Sequence, residues 1–169
     1  LHGGCLSVES EKGRGSRFRV HLPLAAESPA SHHPANAEPV PSRWDTGERA
    51  CVLYIEDDEV NALLMQQIFD TQPDWELIVE TTGARGVDVA IHRLPAVILL
   101  DMNLPDMRGD EILKALKGHP ATKGIPCVAV SADAMPEHVR RALDQGAHDY
   151  WTKPLDLRKT IGMLKKLLS

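Results

Sequence analysis

Four short stretches of the chain end in side chains with chemistry to offer. Glu56, Asp57 and Asp58 follow the apolar run CVLYI, and Asp101 closes AVILL. Ser131 follows IPCVAV, and Lys153–Pro154 follows AHDYW. Carboxylates brought together repel one another unless a cation neutralises them or one takes up a proton. Mg2+ suits such a cluster, because it takes hard oxygen ligands and keeps waters that phosphate oxygens can replace. Beside the ion, one carboxylate can attack phosphorus and form an acyl phosphate. The charge on the phosphoryl oxygens then calls for ammonium and hydroxyl contacts, which Lys153 and Ser131 are of the right types to supply. Each residue also has a plain reading: Asp58 and Ser131 as helix caps, Lys153 as a surface lysine. Only a fold that gathers them gives them a joint meaning.

The elements that would gather them are legible in residues 50–169, where apolar runs alternate with amphipathic stretches. CVLYI, WELIVE, AVILL, IPCVAV and AHDYW read as strands, the third as one buried on both faces. Helices are expected between and after them. The first would turn Val60, Leu63, Leu64 and Ile68 inward, and the second Val87, Ala90 and Ile91. The third would turn in Ile112, Leu113 and Leu116, and the last Leu157, Ile161, Leu164 and Leu168. Gly146 stands where the fourth helix should end. Five strand–helix repeats predict a parallel sheet with helices on both faces. Ligands of such sheets bind at the carboxyl ends of the strands, where the order reverses. Glu56, Asp57, Asp101, Ser131 and Lys153 all fall at those ends.

Two other zones precede this one. Residues 1–24 hold the alternating positions Leu6, Val8, Phe18, Val20 and Leu22 around the glycine-bearing EKGRGS, a hairpin pattern. Residues 25–49 carry Pro29, Pro34, Pro39 and Pro41 among Ala, Ser and Glu, a composition that reads as a linker. The adjacent His32 and His33 have no carboxylate or cysteine at ligand spacing and read as solvated. The net charge of −5 argues against nucleic acid as partner. No apolar run approaches the ~20 residues that span a bilayer. Cys5, Cys51 and Cys127 are too scattered for a disulfide framework or a zinc site and fit a reducing compartment. A cytoplasmic location follows, with membrane anchoring left open for a longer parent. The chain opens on Leu1, not methionine, which suggests a fragment of such a parent.

The segments VLYIEDDEVN, VILLDMNLPDMRG, VAVSADA and DYWTKPLD make positions 51–169 resemble the receiver domain of two-component response regulators. The resemblance implies a flavodoxin-like (βα)5 fold with strand order 2-1-3-4-5. It implies phosphorylation of Asp101 by a histidine kinase or a histidine-phosphotransfer protein. Asp57 and Asp101 become Mg2+ ligands, with Glu56 acting largely through water and Asn103 giving its backbone carbonyl. Ser131 and Lys153 become the hydroxyl and ammonium that meet the phosphoryl group. Tyr150 becomes the aromatic switch, with Ser131 its partner. A cis Lys153–Pro154 bond and a docking face on the fourth helix, fifth strand and fifth helix are further implications. GGCLSVESEKGRGSRFRVHLPL resembles the closing hairpin of the histidine-kinase ATP-binding domain. That family's nucleotide motifs do not occur, so the fragment is not expected to bind ATP. Together the zones resemble the C-terminal end of a hybrid sensor histidine kinase.

Two other functions compete with phosphorelay signalling. An aspartyl-phosphate phosphohydrolase would need an acid two residues after its nucleophile, where this chain has Asn103. A pseudo-receiver that only docks proteins would be marked by loss of Asp101, Lys153 or the acid pair, and all of these are present.

Overall fold

The computed structural model describes residues 5–11, 15–21 and 49–169. Strands β1 (Cys5–Glu11) and β2 (Gly15–His21) form an antiparallel two-stranded ribbon. Its register pairs Leu6 with Val20 and Val8 with Phe18, so the alternating positions of the two runs are cross-strand partners. Leu22 and the expected linker, apart from Arg49, lie outside the described residues.

The rest of the described chain is built on strands β3 (Ala50–Ile55), β4 (Trp75–Glu80), β5 (Val97–Asp101), β6 (Cys127–Ser131) and β7 (Asp149–Thr152). They alternate with helices α1 (Glu59–Asp70), α2 (Gly83–Arg93), α3 (Gly109–Gly118), α4 (Pro136–Asp144) and α5 (Leu157–Leu168). The sheet runs β4-β3-β5-β6-β7 and every pairing is parallel, which is the expected order 2-1-3-4-5 in repeat numbering. β3, β5 and β6 are buried along their whole length, as near-continuous apolar runs must be when helices cover both faces.

Alternation along each strand divides the core in two. Val52, Tyr54, Leu99 and Val130 pack with Met65, Ile68 and Phe69 of α1 and Leu164 of α5. Leu53, Ile55, Ile98 and Leu100 pack with Ala90 of α2, Ile112, Leu113 and Leu116 of α3, and Ala142 of α4. Asp58 caps α1, its Oδ1 accepting from Val60 N at 2.9 Å and Asn61 N at 3.0 Å, so its plain reading holds. Gly146, at φ +99°, follows α4 in the left-handed conformation that a Cβ disfavours.

Three helix faces differ from the sequence expectation. In α1, Val60 is 74% exposed and Leu63 61%, and the buried side is Met65, Ile68 and Phe69. Of the expected stripe only Ile68 is buried; the helix is turned about its axis so that Met65 and Phe69 flank it. In α2 the buried residues are Gly83, Gly86 and Ala90; of the expected face Ala90 is buried, Val87 packs against the core half-buried, and Ile91 is half-buried. A Cβ on Gly86 would lie 2.4 Å from Ile55 Cδ1, so the helix sits against β3 at a distance only glycine permits. In α5, Leu157 is 42% exposed while Thr160 and Leu164 are buried.

Candidate functional site

Parallel pairing aligns the carboxyl ends of β3, β5, β6 and β7 along one edge of the sheet. Glu56 follows β3, Asp101 ends β5, Ser131 ends β6, and Lys153 follows β7. β5 lies between β3 and β6, so Asp101 stands at the centre. The chain leaves β3 toward β4 on one side and returns to β5 on the other, which opens a crevice between Glu56 and Asp101.

Lys153 spans that crevice. Its Nζ lies 2.8 Å from Asp101 Oδ2 and 2.6 Å from Glu56 Oε2. The Lys153–Pro154 peptide is cis, as the resemblance implied. Asp101 is 4% exposed, and its Oδ1 accepts the backbone N–H of Asn103 at 2.9 Å. Glu56 is fully buried and well supported: Tyr54 Oη donates to Oε2 at 2.6 Å and Asn61 Nδ2 to Oε1 at 3.2 Å. Asp57 is exposed, yet a carboxylate oxygen of each of Glu56, Asp57 and Asp101 fits within a 4.8 Å cluster.

The two buried carboxyls shift in opposite directions. Burial pushes Glu56 up, but hydrogen bonds from Lys153, Tyr54 and Asn61 outweigh it and hold the group below the ordinary range. Burial also pushes Asp101 up, and here Lys153 and Asn103 do not cancel it, partly because the Glu56 charge adds to it. Burial alone would lower Lys153, but its bonds to Asp101 and Glu56 raise it, so the ammonium stays charged. Burial and the bond to Glu56 raise Tyr54, which keeps its proton and remains a donor.

Ser131 is 2% exposed, and its Oγ accepts Asp133 N at 3.1 Å. Tyr150 Oη donates to the Asp133 carbonyl at 2.6 Å, and the Asp133 carboxylate meets His138 Nδ1. Ser131 and Tyr150 are thus joined through one residue. A cavity of about 360 Å³ lies beside them, lined by Asn103, Ser131, His138, Arg141 and Tyr150 among others.

Tyr54, Asn61, Asp133 and His138 did not stand out in the sequence. Tyr54 had a usable signal: residues two apart on a strand share a face, so its hydroxyl was placed to meet Glu56. Asp133 and His138 gave none, since their pairing depends on where α4 begins.

Comparison with known proteins agrees with this architecture. The family model described as the response regulator receiver domain matches residues 52–165. The polar-differentiation response regulator DivK of Brucella ovis is 32% identical over 117 residues, covering 69% of this chain and 94% of that protein. The Mn2+-bound form of response regulator Rcp1 superposes with a TM-score of 0.58 at 27% identity, covering 70% of this chain and 91% of Rcp1. The receiver domain of a Pseudomonas aeruginosa sensor histidine kinase, with magnesium coordinated in its active site cleft, shares the fold. Its TM-score is 0.65 at 21% identity, over 71% of this chain and 98% of that one. A parallel sheet of this order and a family match over the same strands lead to one assignment: the chain belongs to the response regulator receiver domain family.

Proposed function

We propose that residues 50–169 act in phosphorelay signalling, accepting a phosphoryl group from a phosphohistidine onto Asp101 in a Mg2+-dependent reaction. The observation that carries this reading is the Lys153 ammonium held against Asp101 and Glu56 at the mouth of an acid cluster. One ammonium faces three carboxylates there, an excess of negative charge that a divalent cation would offset. The donor set is all oxygen, which fits Mg2+ or Mn2+ and not a softer metal. Asp57 and Asp101 would hold the ion, with Glu56 contributing through water and Asn103 through its backbone carbonyl. When bound, it would supply charge neutralisation at the phosphoryl oxygens.

The chain's own groups account for the rest. A carboxylate oxygen of Asp101 attacks phosphorus as the P–N bond breaks, and the electron pair of that bond leaves with the imidazole. Lys153 withdraws charge from the phosphoryl oxygens, and Ser131 offers them its hydroxyl. Once Ser131 turns toward phosphate, its bond to Asp133 N is contested. The Tyr150 tether on Asp133 is then disturbed, which links phosphorylation to Tyr150 and to a docking face on α4, β7 and α5.

The donor would be a histidine kinase or a histidine-phosphotransfer protein. The resemblance of residues 1–24 to the end of a kinase ATP-binding domain supports a C-terminal place in a hybrid sensor histidine kinase. On this reading residues 25–49 are a linker, and the segment works in the cytoplasm. No helix among the described residues is long and apolar enough to cross a membrane. The test is incubation with acetyl phosphate and Mg2+, followed by intact mass. One base-labile phosphoryl group should appear, and it should vanish in Asp101→Asn or on chelation. Stoichiometric uptake by Asp101→Asn would overturn the assignment of the acceptor.

A further inference from the structure

The loop between β5 and α3 is closed on itself and then tied to a different helix. Gly109 N donates to Met102 O at 3.2 Å, and Asn103 and Arg108 form an antiparallel bridge. A Cβ on Gly109 would lie 2.5 Å from Met102 Cα, so the neck of the loop is as narrow as backbone allows. At its far end Asp106 reaches the first turn of α2, 23 residues back in the chain. Its Oδ1 accepts Gly83 N at 2.9 Å and its Oδ2 accepts Ala84 N at 3.0 Å.

Those amides are among the donors that a helix start leaves without intrahelical partners. Thr82, the cap of α2, reaches only Arg85 N, at 3.4 Å, so Asp106 serves the amides that the cap does not. Both carboxylate oxygens are engaged by adjacent N–H groups, and these bonds hold the group below its ordinary range. Contact tightens the same junction: a Cβ on Gly83 would lie 2.4 Å from Ile112 Cδ1 and 3.1 Å from Met107 Cβ. The loop is therefore fixed at its neck by Gly109 and at its tip by Asp106. Between the two clamps is Asn103, whose N–H binds Asp101.

We infer that Asp106 is a positioning residue for the phosphoryl site, its grip on the α2 amides holding the loop so that the Asn103 backbone stays in register with Asp101. The inference rests on the reading of the site given above, in which Asn103 offers its carbonyl to the metal. Asp106 itself touches neither metal nor phosphate. Its contribution is the orientation of a ligand-bearing backbone, an effect that typically changes metal affinity by about 10-fold or more.

The experiment is Mg2+ titration by calorimetry on the full chain, comparing wild type, Asp106→Asn, Asp106→Ala and Thr82→Ala. Asp106→Ala should weaken Mg2+ about 10-fold. Asp106→Asn keeps one acceptor oxygen and should fall between Asp106→Ala and wild type. In the metal-free chain, hydrogen exchange at the amides of Gly83, Ala84 and Asn103 should accelerate in Asp106→Ala. Thr82→Ala weakens the same helix start without touching the loop and should bind Mg2+ like wild type. Equal loss in Thr82→Ala and Asp106→Ala would make the role one of helix stability and overturn the inference. Wild-type affinity in Asp106→Ala would overturn it while leaving the site reading intact. A wild-type chain that binds no Mg2+ would remove the site reading and the inference together.

Discussion

Lys153 Nζ stands 2.8 Å from Asp101 Oδ2, although 52 residues and a neighbouring strand separate the two side chains. The Lys153 side chain is 15% exposed and the Asp101 side chain 6%, so the pair is largely withdrawn from water. The same ammonium holds Glu56, and a single substitution therefore uncovers two buried carboxyls at once.

Lys153→Met is expected to destabilise the metal-free chain by about 2 kcal/mol. That is less than the ~3–5 kcal/mol of a fully stranded buried charge, because Asp101 can relieve the strain by taking up a proton. Added Mg2+ should recover part of the loss if the acid cluster binds it, while phosphoryl uptake stays impaired. Urea denaturation with and without Mg2+ reads both effects. A variant as stable as wild type in chelator would show that the ion pair contributes nothing net.

The opposite shifts of Glu56 and Asp101 give a signed pH dependence. Glu56 is held below its ordinary value of 4.5, so its stabilisation is present above that value and is lost as pH falls through the depressed one. Asp101 is held above its ordinary value of 3.8, so its contribution is full below that value and is lost as pH rises through the raised one. Asp101→Asn removes the second dependence. It should gain stability relative to wild type at pH 7 and lose that advantage toward pH 4. An equal difference at both pH values, measured by chemical denaturation, would contradict the raised state of Asp101.

Gly86→Ala places a methyl group 2.4 Å from Ile55 Cδ1 and 2.7 Å from Cγ1, on the residue just before Glu56. Overpacking of this kind costs about 1–3 kcal/mol. Because Ile55 is fully buried in a strand, relief must come from moving α2 outward. Thermal unfolding should show the loss, and a neutral result would mean that α2 gives way more easily than its packing implies.

The proposed division into domains has its own measurement. Deleting residues 1–48 should change the stability of the remaining chain by no more than ~0.5 kcal/mol, the range for changes outside packed regions. Phosphoryl uptake at Asp101 should be unaltered. A loss of several kcal/mol would make the first zone and the receiver one cooperative unit.

Much of this molecule could be read along the chain. Short β-branched runs such as VILLD read as strands covered on both sides, and five strands alternating with helices leave few topologies. The placement of Glu56, Asp101, Ser131 and Lys153 at the carboxyl ends of four of these strands follows directly, because parallel strands align their ends on one edge. Periodicity also found the stripe on α3 in full, where Ile112, Leu113 and Leu116 are all buried.

The tertiary structure decided the rest, and the reason is the same in each case. Helical spacing marks where apolar side chains cluster but not which angle of the helix its neighbours cover. Val60 and Leu63 therefore stay exposed while Met65 and Phe69 are buried. The close face of α2 is set by glycines, which carry no hydrophobic signal and matter only when Ile55 or Ile112 stands opposite. Hydrogen-bond partners distant in sequence are equally invisible along the chain. Asp106 looks like a loop acid until α2 presents its amides, and Lys153 like a surface lysine until the sheet order carries it across to Asp101 and Glu56. Local sequence chooses the element and the end of it at which a group stands; only the packing of elements decides which groups meet.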